Sequence, residues 1–84
     1  MTDNNNFVPD EILLNDIELT KKEADSYNMI SVGFNNLARL PENIGTTEEK
    51  LYMADSRKYD ELEQQCRAFL RKLIGLAEKR GLAV

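Results

Sequence analysis

The residue pattern predicts an all-α fold: a short N-terminal helix, then an antiparallel helical hairpin with a long second arm, assembling into a helical bundle. Three observations predict it. Apolar residues recur in steps of three and four from Tyr52 to Leu76. The same stepping links Tyr27, Ile30, Phe34 and Leu37. A short Pro-Glu-Asn-Ile-Gly segment, residues 41–45, separates the two runs, and short connections make helices antiparallel neighbours.

Residues 1–6 are polar and low in complexity, so a disordered tail is expected ahead of one helical domain, residues 7–84. Pro9 followed by Asp10 and Glu11 predicts a helix start, because proline suits the first turn and acids there complement the macrodipole. Ile12, Leu13 and Leu14 would form a short helix ending near Asn15. Ile17 and Leu19 alternate with Asp16, Glu18 and Thr20, which reads as extended chain. Thr20-Lys21-Lys22-Glu23 matches a capping box, in which hydroxyl and carboxylate satisfy two orphan amides. The helix it opens should end by Leu40, since Pro41 disfavours helical geometry in the residue before it. Gly33 weakens that helix by about 1 kcal/mol relative to alanine and marks a place for a kink.

A second capping box, Thr46 with Glu49, opens the long helix over residues 47–80. Its expected stripe is Tyr52, Asp55, Tyr59, Leu62, Cys66, Phe69, Leu73 and Leu76, widened by Leu70, Ile74 and Ala77. Lys79 and Arg80 suit the last turn, and Gly81 is a left-handed cap. At about 1.5 Å per residue the helix runs roughly 50 Å. Its partner helix is shorter, so Leu70, Ile74 and Ala77 are expected to remain as surplus apolar surface. That surplus predicts self-association, most simply two hairpins forming a four-helix bundle.

An 84-residue chain is one domain, and a chain this short buries only about 60–65% of its unfolded surface. It needs reinforcement. The single cysteine, Cys66, excludes an internal disulfide, and the absence of histidine removes the commonest zinc ligand. Oligomerisation or docking on a partner is the remaining device. The net charge of −4 disfavours binding to phosphate backbones. Acids crowd the first 25 residues and bases the last 20. Complementarity within the fold, or between antiparallel subunits, accounts for that asymmetry; a basic face meeting an anionic partner is the alternative. No window carries the roughly 18 apolar residues of a membrane span, and residues 1–6 lack the regions of a signal peptide. A reducing cytoplasm is the expected compartment.

The sequence predicts no enzyme, no cofactor and no metal. Cys66 has no histidine to activate it and lies between Leu62 and Phe69 as a small apolar residue. The carboxylates Glu48, Glu49, Asp60, Glu61 and Glu63 read as a solvated helix face. A helix-turn-helix is disfavoured because the helix after the turn opens with Glu48 and Glu49. The leading expectation is an oligomeric module that binds another protein as an inhibitor, adaptor or assembly factor, a style common among small acidic helical proteins of phage and mobile elements. Its partner-binding residues would be Arg67, Leu70, Arg71, Lys72, Ile74 and Ala77. A second reading is sequestration of a small anionic ligand such as a nucleotide, with Tyr52 and Tyr59 stacking and Arg57 and Lys58 neutralising charge. A third is a nucleic-acid accessory role through the basic C-terminal face.

Overall fold

A computed structural model describes residues 8–84, so the tail expected over residues 1–6 lies outside them. Two helices make up the described chain: α1, Asp10–Ala38, and α2, Thr47–Lys79. They pack along each other as a hairpin. The expected short helix, extended break and second helix are in fact one continuous α1. Thr20 explains the correction. Its hydroxyl donates to the Asp16 carbonyl at 2.6 Å, one turn back within the helix, instead of capping a new one. Leu13 and Ile17 also stand one helical turn apart, and Thr20 and Ala24 continue their stripe. Those two side chains carry so little apolar surface that the stripe is lost to a reading of hydrophobicity.

Both ends of α2 match their sequence signals. The Glu49 amide donates to the Thr46 hydroxyl at 3.2 Å, while the Glu49 carboxylate accepts from the Gly45 amide at 2.9 Å. At the far end Gly81 sits at φ 75°, the left-handed region that glycine enters without strain. There the Leu82 amide donates to the Ala77 carbonyl and the Gly81 amide to the Glu78 carbonyl, which completes a Schellman motif. The end of α1 is held differently. The Asn43 side-chain amide reaches back to the Leu37 carbonyl at 2.7 Å.

The seam between the helices follows a heptad. In α1 it takes Leu13, Ile17, Thr20, Ala24, Tyr27, Ser31, Phe34 and Ala38. In α2 it takes Tyr52, Ser56, Tyr59, Glu63, Cys66, Leu70, Leu73, Ala77 and Arg80. All are buried or half-buried, and the steps alternate between four and three. A mean repeat of 3.5 keeps such a seam aligned as two helices coil left-handedly. This corrects the expected stripe. Ser56, Leu70 and Ala77 face α1, whereas Asp55, Phe69 and Leu76 fall to one side.

The seam has three zones. Near the chain ends Leu13, Ile17, Leu70 and Ala77 form an aliphatic core, with Val8, Leu73, Ile74 and Leu82 packed around it. In the middle the side chains are small, with Thr20 and Ala24 on α1 and Cys66 on α2. Toward the turn, aromatic rings pack around a serine pair, in which Ser31 donates to the Ser56 carbonyl at 2.8 Å and Ser56 donates to the Ser31 carbonyl at 2.9 Å. Phe34 lies 5.9 Å from Tyr59 and 6.2 Å from Tyr52, and Tyr27 lies 6.2 Å from Tyr59. The antiparallel arrangement also meets the charge asymmetry inside the chain, through Arg80 with Asp10 at 3.0 Å and Arg67 with Asp25 at 3.2 Å.

Close approach in the middle zone makes a contrast that denaturant unfolding can measure. Ala24 is fully buried there, so Ala24→Leu should destabilise by roughly 1–3 kcal/mol through overpacking. Gly75 has open space around an added Cβ, so Gly75→Ala should stabilise by up to about 1 kcal/mol. Equal effects of the two substitutions would contradict this packing.

Candidate interaction surface

The heptad register divides the outside of the hairpin into two flanks. In an antiparallel pair, the positions just before each first core position of the heptad line up on the same side of both helices. On one flank these are Asp16, Glu23, Ile30 and Leu37 from α1, and Asp55, Leu62, Phe69 and Leu76 from α2. Ile12, Leu19 and Gly33 of α1 lie beside them, as does Leu51 of α2. The opposite flank is mostly polar, with Lys21, Asp25, Asn28, Asp60 and Arg67. The side-chain contacts agree with this division. Arg67 bridges to Asp25 on the polar flank, while Cys66 reaches Glu23 on the other.

The first flank is apolar and open. Phe69 is 55% exposed and Leu19 54%, far above what a packed core side chain retains. Ile30, Gly33, Phe34 and Leu37 line an open groove of about 390 Å³ on it. Gly33 supplies no side chain, and a Cβ built there would meet nothing within 4 Å. α1 continues through this glycine as one helix. A side chain from another surface can therefore rest against the α1 backbone at this point.

The residues expected to bind a partner do not form one surface. Leu70 and Ala77 are buried in the chain's own core, and Ile74 packs against them, because α1 extends to Asp10 and covers this stretch with Leu13 and Ile17. The surplus apolar surface is Phe69 and Leu76 instead. Arg67 is engaged on the polar flank with Glu63 at 2.6 Å and with Asp25. Those two acids, Glu63 foremost, raise the pKa of its guanidinium further. Arg71 and Lys72 are exposed and diverge, Lys72 to the apolar flank and Arg71 to the polar one.

The residues expected to hold an anionic ligand are partly brought together. Tyr52 and Tyr59 stand in the aromatic ladder with their rings turned to Phe34. Lys58 Nζ lies 5.9 Å from the Tyr59 ring centre. Arg57 is exposed on the polar flank, on the far side of α2 from Lys58's neighbours. Among the described residues, no group of three or more cysteine, aspartate or glutamate side chains is placed to hold a metal ion, and no helix is long and apolar enough to cross a membrane.

Cys66 is the one thiol. Its Sγ donates toward the Thr20 carbonyl at 3.5 Å and the Glu23 carboxylate at 3.4 Å. Desolvation pushes its pKa up, the hydrogen bond to Glu23 and that residue's negative charge push it further, and Arg67 opposes them. The thiolate is the reactive form, so alkylation at a fixed mildly alkaline pH should be slow and should speed up in Glu23→Gln. A rate unchanged or lowered in that variant would contradict the assigned role of Glu23.

No protein-family model, no curated protein and no solved structure matches this chain.

Proposed function

We propose that this chain is a non-enzymatic binding module that acts by laying its apolar flank on another protein surface, as an inhibitor, adaptor or assembly factor. The observation that carries this reading is the flank itself. Leu19, Ile30, Leu37, Phe69 and Leu76, with the half-buried Leu62, share one side of a single layer of two helices, and no other element among the described residues covers them. Stable domains place a second layer on such a face. Large exposed apolar patches with charged rims mark interaction sites, and Asp16, Glu23, Lys58 and Lys72 stand around this one. An aromatic at the centre of a flat patch is the usual energetic anchor, a role that suits Phe69.

Phe69→Glu combined with Leu76→Glu tests the reading. Both side chains lie outside the seam, so circular dichroism should report unchanged helix content. Native mass spectrometry of the chain purified gently from its own cells should show the wild type in an assembly heavier than one 9.6 kDa chain, and the variant as that single chain. Identical assemblies for the two proteins would sink the proposal.

A further inference from the structure

We infer that the surface covering the apolar flank is a second copy of this chain, stacked so that α1 of each copy lies over α2 of the other. The inference rests on the binding reading above and names its occupant. The product is an up-down-up-down four-helix bundle with a two-fold axis along the helices.

Shape supplies the first argument. The molecule measures 60 × 24 × 15 Å, one helix layer thick. Its Cα radius of gyration is 18.1 Å, against roughly 12 Å for a compact chain of this length. A 60 by 24 Å outline comfortably exceeds the ~800 Å² per partner that a stable interface buries. A self-complementary face of that size converts two thin ribbons into one bundle with a shared core.

Charge chooses the arrangement. On this flank α1 presents the acids Asp16 and Glu23 and no base, while α2 presents Lys58, Lys72 and Lys79, with its acids Glu48 and Asp55 toward the turn. Among the described residues, Asp16 and Lys72 have no ion-pair partner in their own chain. The reciprocal serine bonds set Ser31 level with Ser56. Asp16 lies fifteen residues along α1 from that level and Lys72 sixteen along α2, on the same side of it. At about 1.5 Å per residue their heights agree to roughly 1.5 Å. Leu19 and Phe69, twelve and thirteen residues along, agree equally well. Placing α1 over α2 of the second copy therefore sets Asp16 against Lys72 and Leu19 against Phe69, twice over. It also makes every adjacent helix pair antiparallel, which suits the macrodipoles. Stacking α1 over α1 would leave Asp16 and Glu23 facing a helix that offers no base on this flank, which disfavours the alternative.

Sedimentation equilibrium across micromolar concentrations tests this directly. The wild type should run at the mass of two chains. Asp16→Lys and Lys72→Asp should each weaken the dimer on the order of tenfold, because each places two like-charged pairs in the interface. An equimolar mixture of the two variants should recover wild-type affinity, since each mixed pair then joins opposite charges. Helix content should be the same throughout. A wild type that stays a single chain would overturn the inference while leaving the binding reading to the Phe69 and Leu76 comparison. A dimer whose weakened variants do not rescue each other would overturn the α1-over-α2 arrangement. Rescue on mixing cannot come from a contact within one chain.

Discussion

Ser31 and Ser56 each donate a hydroxyl hydrogen bond to the other's backbone carbonyl, and most of this structure follows from that exchange. A serine side chain is short. It reaches the main chain of a neighbouring helix only when the two backbones lie close together. The pair therefore sets both the separation of α1 and α2 and their register. Ala24 and Ala38 continue the small row along α1, and Ala77 continues it on α2. Larger residues at these positions would force the helices apart and leave the buried Ser31 hydroxyl unpaired, at a cost of about 1–3 kcal/mol.

Close approach along one row pushes bulk to the adjacent row. Tyr27, Phe34, Tyr52 and Tyr59 occupy it near the turn, where Phe34 stacks on Tyr52 and Tyr59 across the seam and Tyr27 meets Tyr59 at a tilt. Leu13 and Leu73 occupy it near the chain ends. The result is a narrow core with little depth. Among the described residues, the buried apolar set is Leu13, Ile17, Ala24, Ala38, Leu70 and Ala77, and half of these are alanine. Burying an alanine removes little apolar area from water, so two helices held this way gain modest hydrophobic stabilisation. The exposed flank is the other side of that economy. Bulky aliphatic and aromatic side chains that a thicker domain would bury remain at the surface as material for a second interface.

Charge is used twice in the same chain. On the polar flank and at the chain ends, antiparallel packing brings the acidic first 25 residues against the basic last 20, as Arg67 with Asp25 and Arg80 with Asp10 show. Exposed pairs of this kind add little stability, but they penalise a parallel or slipped alignment. On the apolar flank Asp16 and Lys72 are left outside that internal pairing.

Local chemistry decided what was legible in the sequence. Helicity came through because apolar residues at three- and four-residue spacing mark a helix face wherever it points. The turn came through from Pro41 and Gly45, and both ends of α2 from Thr46, Glu49 and Gly81, because those residues act on the backbone beside them. The continuity of α1 was hidden, since its seam is carried by Thr20, Ala24 and Ser31, which no hydrophobicity pattern singles out. The apolar spacing points Phe69 and Leu76 inward and leaves Leu70 and Ala77 as surplus, the reverse of the structure, because adjacent apolar residues fit either register of the same helix. Tertiary structure made that choice. Only the register with Ser56 opposite Ser31 satisfies both hydroxyls, keeps Asp55 out of the seam and lets the backbones close, and it is this choice that leaves Phe69 facing outward.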